Sequence, residues 1–447
     1  AVLGQRCPGV VAATLAAWMA GAVVMLVDDA LPPARVAAML EAAGASLGIA
    51  LGDCAFPATA GLAVLHWDEM PRPAASGPMP SQFAAGGDAA YLAFTSGSTG
   101  KPKAILGSHN GLAQFLDWQR GVSGIGPGDR VANFTSLSFD VVLRELFLPL
   151  TSGAALCIPD QPELGPGPVA KFLATARITL LHTVPTLAML WLQRWPDEAA
   201  AGALRTVFFA GEPLSDTVVA RWRRRFPGCT VYNLYGPTET TLAKCAAQVP
   251  DPAPAGIQSI GAAIDGSQAL VLDAGLRLCG RGELGEIVIR SPYRSHGYVA
   301  EGVPQPTFIA NPWHGGEGGT LYRTGDLGRY EPDGRLAILG RRDDQVKING
   351  VRIELAEVRA AMQACPGVAD AYVTVVEQGG AKQLVGFAVA ASADGGAAAV
   401  TAASLGASLR ARLAAAMVPS RLVLADELPR NANGKVDRQR LLQTAAA

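Results

Sequence analysis

A glycine-rich segment with hydroxyl and lysine side chains follows the apolar stretch Tyr91–Phe94. It reads Thr95-Ser-Gly-Ser-Thr-Gly-Lys101, and Lys103 comes directly after Pro102. Glycines let a backbone approach a ligand closely and turn N–H groups toward an anion, and hydroxyl and lysine side chains add further donors. The segment therefore predicts a loop that wraps phosphate. A Ser/Gly-rich linker is the alternative, although such linkers rarely follow an apolar strand and carry Lys-Pro-Lys as well.

The loop differs from the Walker A motif, which has the pattern G-x-x-x-x-G-K-[ST]. Thr95 stands at the first glycine position of that pattern, and Pro102 stands where Ser or Thr is required. The sequence thus predicts a phosphate loop of another kind.

Four more segments carry side chains that could do chemistry. In Tyr232–Thr240, a Tyr beside Gly-Pro offers a flat face for a base, while a Thr and a Glu could face a phosphate and its Mg²⁺. In Tyr322–Leu327, an Asp after a turn glycine could accept both hydroxyls of a ribose. Gly340–Gly350 is charged and lies where a domain hinge would fall, and Asn433–Arg438 carries a Lys on a tight turn. Each segment alone could be an ordinary turn or solvated face, but their joint presence favours a nucleotide enzyme.

Length and composition indicate the number of domains and limit the kinds of partner. A length of 447 residues with 49% apolar residues predicts two to three domains with a sizeable core. The formal charge of −1 predicts no general attraction to nucleic acid or to a membrane. The apolar stretch Val10–Val27 fits a buried helix, turn and strand better than a membrane span. Because position 1 is not Met, we expect an excised piece of a longer chain.

The seven cysteines are scattered and none forms a CxxC pair. This distribution predicts neither a disulfide framework nor a zinc site, and it fits a reducing cytoplasm. We see no signal peptide, since the chain starts without a charged region or a cleavage site.

The elements that must position these side chains alternate between helix and strand. Such alternation predicts an α/β fold with a largely parallel sheet, and from about Gly256 short β-rich runs with turn signals take over. The predicted strands are Val23–Val27, Leu204–Ala210 and Thr230–Leu234. The predicted helices are Ala12–Trp18, Arg35–Ala43, Val169–Ala176, Thr186–Gln193, Asp216–Arg225, Glu354–Gln363 and Leu405–Ala415. The Ala/Gly-rich stretch Ala391–Ala403 is expected to be a loop.

Taken in chain order, these motifs resemble the adenylation domains of nonribosomal peptide synthetases, within the superfamily that also holds acyl-CoA ligases and luciferases. The matching segments span nearly the whole chain: Trp18–Asp28, Phe94–Lys103, Phe139-Asp140, Asn233–Glu239, Gly282–Tyr298, Tyr322–Leu327, Gly340–Val358 and Asn433–Arg438. The resemblance implies a large domain, residues 1–342, of layered sheets and helices with a β-rich subdomain, whose first N-terminal portion is missing. A small, mobile α+β domain, residues 343–447, would follow.

The resemblance also implies a two-step reaction. A carboxylate attacks the α-phosphate of ATP to give acyl-AMP and pyrophosphate, and the acyl group then passes to the phosphopantetheine thiol of a carrier protein. Neighbouring synthetase domains would be partners, and an MbtH-like activator protein is left open.

Residue roles follow from the same motif match. Lys435 would bridge the substrate carboxylate and the adenylate, Thr238 would bind the α-phosphate, and Glu239 would hold Mg²⁺. Asp343 would be the hinge, and Lys347 would face the site in the thioester-forming pose. Tyr235 would stack on adenine, and Asp326 would bind the ribose hydroxyls. The full nucleotide-binding set would be Thr95, Ser96, Gly97, Ser98, Thr99, Gly100, Lys101, Gly211, Asn233, Tyr235, Gly236, Asp326 and Arg341.

For the substrate, Asp140 matches the residue that pairs with an α-amino group. The other lining positions would be Val141, Arg144, His182, Phe208, Ala210, Leu234, Leu242 and Ala243. An unpaired buried charge is costly. Either the substrate side chain is polar or acidic, or Arg144 pairs with protein such as Glu145 or turns to water. His182 could equally be a core histidine with its hydrogen bonds satisfied.

Two other classes of protein remain as alternatives. A free-standing acyl- or aryl-CoA ligase would share the glycine loop, Asp326 and Lys435, but Asp140 and the Asn433–Arg438 turn argue against it. A catalytically decayed synthetase domain would be expected to lose Lys435, Glu239 or Asp326, and all three are present.

Overall fold

Two seven-stranded sheets with helices packed on their faces make up the N-terminal part of the chain. The structure is a computed structural model that describes residues 1–70, 85–95, 102–160, 165–196, 202–299, 307–313, 319–342, 345–378, 381–391, 400–430 and 436–446.

The first sheet is built from the first six strands and is parallel except at its β6 edge, where β5 and β6 are antiparallel. Its strands are β1 (Val2–Gly4), β2 (Val24–Asp28), β3 (Leu47–Ala50), β4 (Ala63–His66), β5 (Ala89–Thr95) and β6 (Lys103–Ser108). The helices of this region are α1 (Pro8–Met19), α2 (Pro33–Ala43) and α3 (His109–Ser123).

The second sheet has the order β13-β12-β11-β10-β9-β7-β8, with five parallel strands and an antiparallel edge formed by β12 and β13. Its elements in chain order are β7 (Arg130–Ala132), α4 (Val142–Thr151), β8 (Ala155–Cys157), α5 (Pro166–Thr175), β9 (Leu180–Thr183), α6 (Pro185–Gln193), β10 (Thr206–Ala210), α7 (Asp216–Arg225), β11 (Thr230–Tyr235), β12 (Cys245–Gln248) and β13 (Ala262–Ala263).

An antiparallel sheet follows, in the order β14-β15-β18-β17, with β19 paired to β18. The strands of this region are β14 (Gln268–Leu272), β15 (Gly285–Arg290), β16 (Gly297–Tyr298), β17 (Phe308–Ala310), β18 (Thr320–Tyr330) and β19 (Leu336–Arg341). β16 does not belong to this antiparallel sheet, because it pairs antiparallel with β6 and is the seventh strand of the first sheet.

The C-terminal part is small and mixed. It begins with a two-stranded hairpin and continues with a three-stranded sheet of order β22-β23-β24. Its elements are β20 (Gln345–Ile348), β21 (Val351–Glu354), α8 (Leu355–Gln363), β22 (Val368–Gln378), β23 (Ala381–Ala390), α9 (Ala402–Arg410), β24 (Arg421–Ala425) and α10 (Arg438–Ala446).

The two large sheets share one apolar core. Leu26 of β2 and Tyr91 of β5 meet Phe208 of β10 across Phe115 of α3 and Leu146 of α4, and all five side chains are buried. Helices α3 and α4 thus lie sandwiched between the sheets. A separate core around Val358 and Leu405 holds the C-terminal part together, as expected for a second domain.

The α/β fold class and the change to β-rich texture after Gly256 are confirmed by this architecture. Two predicted helices are misplaced: the one at Ala12–Trp18 begins earlier, at Pro8, and the one at Leu405–Ala415 is shifted at both ends. In the structure the latter helix starts at Ala402, because Thr401 and Ser404 form a reciprocal capping box. It ends at Arg410, and a separate 3₁₀ turn follows at Ala415–Met417. Helices α3 and α4 were not among the predicted elements.

Candidate active site

A cavity of about 310 Å³ opens at the carboxyl ends of β9, β10 and β11. Parallel strands commonly present ligand sites at this end of a sheet. Thr95 at the end of β5 and the segment Phe134–Arg144 line one wall. The opposite wall comes from β18, β19 and the hairpin β20–β21, so the cavity lies between the large and the small part of the chain.

Asp326 and Arg341 face each other directly across the antiparallel strands β18 and β19. The Arg341 guanidinium donates to Asp326 Oδ1 at 2.6 Å, and the Tyr235 hydroxyl donates to Asp326 Oδ2 at 2.6 Å. Burial, followed by the charge of Asp326, raises the pKa of Tyr235 well above its ordinary value, so this phenol keeps its proton and donates. The cluster holds an oriented carboxylate at the cavity wall, which suits two adjacent hydroxyls.

Glu239 lies in the 3₁₀ turn Thr238–Thr240 and is fully buried. The Tyr298 hydroxyl donates to its Oε1 at 2.7 Å, and the Arg352 guanidinium contacts both carboxylate oxygens at 3.1 Å. Although burial raises it, the charge of Arg352 and the Tyr298 hydrogen bond hold the pKa of Glu239 below its ordinary value. This side chain is therefore an ionised carboxylate beside Thr238, which lines the cavity.

Asp140 lies just before α4 and lines the cavity. Burial raises its pKa to about 6, and the Thr238 hydroxyl and the charge of Arg144 act in the opposite direction. At neutral pH it is a carboxylate at the cavity wall. Such a group can bind an ammonium, and this remains the role predicted for Asp140.

Most of the predicted pocket residues come together. Seven of them line the same cavity: Val141, Arg144, His182, Ala210, Leu234, Leu242 and Ala243. Phe208 does not line it, because its ring stacks behind His182 with 5.4 Å between centroids. Among the predicted nucleotide residues, Gly211 and Gly236 line the cavity, whereas Tyr235 lies behind the wall through its bond to Asp326. Asn233 lies on the other side of β11, where its amide donates to the carbonyls of Gln258 and Ser259.

The tip of the hairpin β20–β21 docks against the loop after β10. Gly350 N donates to Glu212 Oε1 at 2.8 Å, and the other Glu212 oxygen accepts from the backbone and hydroxyl of Thr186. Gly350 has φ +77°, and a Cβ there would lie 2.5 Å from Val184 Cγ1, so only glycine fits this close approach.

Docking of this tip places Lys347 in the cavity wall, near Asp326. Burial lowers the pKa of Lys347, and the charge of Asp326 acts in the opposite direction. The hairpin thus brings a lysine into the cavity wall.

Some predicted residues lie outside the part of the chain that the structure describes. They are Ser96, Gly97, Ser98, Thr99, Gly100 and Lys101 of the glycine loop, the predicted hinge Asp343, and Lys435.

Three residues of the site were missed by the sequence analysis. Arg352 binds Glu239, Glu212 anchors the hairpin tip, and Gln119 Nε2 lies 2.7 Å from His182 Nε2. Arg352 lies inside the matched segment Gly340–Val358 and could have been noted as a buried-site candidate. Neither Glu212 nor Gln119 had a signal, because their partners are far away in the chain.

The residues that the structure describes include neither a metal-ion cluster nor a membrane-spanning helix. No group of three or more His, Cys, Asp or Glu side chains could hold a metal ion there. No helix in that part of the chain is long and apolar enough to cross a membrane.

Two family models match the chain. The family model for AMP-binding enzymes matches residues 1–299, and the model for the AMP-binding enzyme C-terminal domain matches residues 357–435. A probable non-canonical nonribosomal peptide synthetase, CymA of Salinispora arenicola, is 37% identical over 96% of this chain, and tyrocidine synthase 3 of Brevibacillus parabrevis is 33% identical over 99%. The chain spans only 5% and 7% of the length of these two synthetases.

Among solved structures, holo-PA1221, an NRPS protein containing adenylation and PCP domains bound to a vinylsulfonamide inhibitor, superimposes with a TM-score of 0.85. It is 29% identical, with 99% of this chain and 75% of that chain covered. The chain belongs to the AMP-binding enzymes and, within them, to the adenylation domains of nonribosomal peptide synthetases. A smaller relative, the L-proline–[L-prolyl-carrier protein] ligase of Pseudomonas fluorescens, is 35% identical over 78% of this chain and 68% of its own length.

Proposed function

We propose that this protein activates an α-amino acid with ATP and then loads it onto a carrier protein. In the first step a carboxylate oxygen attacks the α-phosphorus, the bond to the β-phosphate oxygen breaks, and pyrophosphate leaves. In the second step a phosphopantetheine thiol loses its proton and attacks the acyl carbon, and AMP leaves as the thioester forms. The convergence of Asp140, Thr238 and the Asp326–Arg341 pair on one cavity is the observation that carries this proposal.

Each residue has a role in that reaction. Asp140 binds the α-ammonium, the aliphatic lining residues hold the side chain, and Asp326 accepts from the ribose hydroxyls with Arg341 fixing its orientation. Thr238 and the glycine loop Thr95–Lys101 bind phosphate. Because neither step passes through a covalent bond to the protein, placement and charge neutralisation supply the catalysis.

Glu239 would hold a magnesium ion when Arg352 is away from its two oxygens, since it is a buried carboxylate beside a phosphate-binding threonine, and Mg²⁺ is typically held by one or two carboxylates together with substrate phosphates. When bound there, Mg²⁺ would offset the negative charge of the ATP phosphates. The residues of the chain do the rest: Tyr298 orients Glu239, and Thr238 donates to the α-phosphate.

We place the domain boundary between residues 342 and 343, with Asp343 as the pivot about which residues 343–447 turn between the two steps. In the first pose Lys435 would lie between the substrate carboxylate and the adenylate. In the second pose Lys347 would face the substrate, and its position in the cavity wall supports this part of the proposal. The partners would be a peptidyl carrier protein and the adjoining synthetase domains, in the cytoplasm, and an MbtH-like activator would be a further partner.

Exchange of pyrophosphate into ATP tests the first step. Lys435→Ala should abolish amino-acid-dependent exchange, because a positive charge is lost where negative charge concentrates. Thioester transfer from supplied aminoacyl-AMP should survive, since Lys435 moves away in the second pose.

Lys171→Ala, which removes an exposed lysine on α5, is the matched control and should leave both steps unchanged. Near-normal exchange in the Lys435→Ala variant would refute the role of Lys435. Absence of exchange with every amino acid, in the unmodified chain, would refute the function itself.

A further inference from the structure

The substrate pocket contains a buried arginine without a partner. Arg144 lies in the first turn of α4 and lines the cavity, yet only 4% of it is exposed. It makes no hydrogen bond or ion pair with any residue that the structure describes, and its Nε is buried with no acceptor. A guanidinium carries five N–H donors and always keeps its charge, so leaving it unpaired in an apolar pocket is costly.

The neighbouring carboxylate does not serve as that partner. Both oxygens of Glu145 are taken by the segment that follows β7: Oε2 accepts from Asn133 Nδ2 at 2.8 Å and from the backbone N–H groups of Phe134 and Thr135 at 2.9 Å. Oε1 accepts from the Thr135 hydroxyl at 2.5 Å. Glu145 therefore offsets the charge of Arg144 only through space and fixes the loop instead. The alternative in which Glu145 pairs with Arg144 is not what the structure contains.

Asp140 does not neutralise Arg144 when the substrate is bound. It lies four residues before Arg144 and is close enough to act on its charge. Once a substrate ammonium binds Asp140, that carboxylate is neutralised by the ligand. Arg144 then lies beside a second positive charge, so a negatively charged group bound next to Arg144 would be stabilised.

His182 adds a hydrogen-bonding site without adding charge. Its ring stacks on Phe208, and Gln119 lies 2.7 Å from its Nε2, whereas Nδ1 is buried with no partner among the described residues. Burial, and then the charge of Arg144, lowers its pKa well below the ordinary value, so the ring is neutral. With the Gln119 amide donating to Nε2, Nδ1 carries the proton and is a second donor next to Arg144.

We propose that the substrate is an α-amino acid whose side chain ends in a carboxylate, and that Arg144 binds this carboxylate with His182 as a second donor. This inference rests on the proposed function, since it concerns the substrate of the same cavity. Guanidinium and carboxylate form paired, bidentate hydrogen bonds, which a neutral amide or an alkyl group cannot reproduce. The unmatched donors of Arg144 would therefore reject amino acids with uncharged side chains.

The test is amino-acid-dependent pyrophosphate exchange by the full chain, with aspartate, glutamate, asparagine, glutamine and leucine compared by kcat/KM. The acidic amino acid that is activated best should exceed its own amide by about 10² to 10⁴-fold, as expected for a site that loses buried hydrogen bonds with the wrong substrate. Arg144→Met should remove most of that ratio, and Arg144→Lys should restore part of it because the charge returns without the bidentate geometry.

Arg224→Met is the matched control, since Arg224 is an exposed arginine on α7, and it should leave the ratio unchanged. If Arg144→Met does not fold, the amino-acid preference of the unmodified chain still tests the proposal. The proposal would be overturned if asparagine, glutamine or leucine were activated best. That outcome would leave the proposed function intact, whereas exchange with no amino acid at all would overturn both. An unaltered preference in a folded Arg144→Met variant would also overturn it.

Discussion

At the scale of single residues, Asp140 gives the site a pH dependence. Burial raises the pKa of this carboxyl to about 6 in the free protein, against the effects of Thr238 and Arg144. The ionised form is needed to bind an ammonium, and it is lost as the pH falls through 6. We expect kcat/KM for the amino acid to be flat above about pH 7 and to fall roughly tenfold per pH unit well below 6, since kcat/KM reports the free enzyme.

The measurement is the pH profile of exchange between pH 5 and 8, with kcat/KM for ATP determined at the same pH values as the control. His182 does not contribute to this profile, because its pKa lies well below the ordinary range. A profile for the amino acid that stays flat down to pH 5 would show that Asp140 does not carry the ammonium.

The sequence identified many of the residues that line the cavity, but only through a match to known motifs. That match gave Asp140, Arg144 and Asp326 their expected places, and the cavity contains all three. It could not decide whether Arg144 pairs with Glu145, because that depends on how the loop at Asn133–Thr135 folds back onto α4. Gln119 was missed for the same reason: its contact with His182 joins residues 63 positions apart.

At the scale of elements, Arg352 of the hairpin β20–β21 would compete with a magnesium ion for the carboxylate of Glu239. Arg352 on β21 contacts both oxygens of that carboxylate at 3.1 Å, and it also donates through Nε to Gln345 Oε1 at 2.9 Å. A metal ion and this guanidinium cannot both occupy the same oxygens. If Glu239 holds magnesium during adenylation, its oxygens would be available to Arg352 only in the second step.

Arg352→Ala should therefore slow thioester transfer from supplied aminoacyl-AMP by about tenfold or more, because truncating one partner of a buried charged pair leaves the other uncompensated. Pyrophosphate exchange should change by no more than a few-fold. Stopped-flow transfer and steady-state exchange measure the two effects separately. Arg421→Ala, which changes an exposed arginine on β24, serves as the control. A loss of exchange as large as the loss of transfer would mean that Arg352 acts in both poses.

Some helices were predicted with their correct ends, and others were not predicted at all. The amphipathic helix Asp216–Arg225 was placed to the residue, since Ser215 caps it and three arginines mark its last turn. Helices α3 and α4 were not predicted, although α3 is amphipathic, with Phe115 and Leu116 buried and Asp117 exposed, so its period was there to be found. In α4, by contrast, every residue from Val142 to Pro149 is buried, so burial does not follow a helical period.

At the scale of the whole molecule, a few polar contacts hold the small part of the chain against the large one. Arg35 of α2 donates to the buried Glu357 of α8 at 2.7 Å, and Gly350 donates to Glu212 at 2.8 Å. Interfaces of this polar kind are typical of domains that move. The apolar cores on the two sides are separate, so the small part can turn without unfolding either core.

A proline at the predicted pivot tests whether such a turn joins the two reaction steps. Proline fixes φ near −65° and removes the backbone donor. Asp343→Pro should therefore hold the chain near one orientation, so that adenylation and thioester transfer are affected very unequally, by at least about tenfold in their ratio. Asp343→Ala is the matched control, since it removes the same carboxylate but leaves the backbone free to rotate. Exchange and single-turnover transfer from aminoacyl-AMP would be measured on both variants. An equal loss of the two steps in Asp343→Pro, or the same imbalance in Asp343→Ala, would place the pivot elsewhere, because backbone rotation at residue 343 would then not be what separates the two poses.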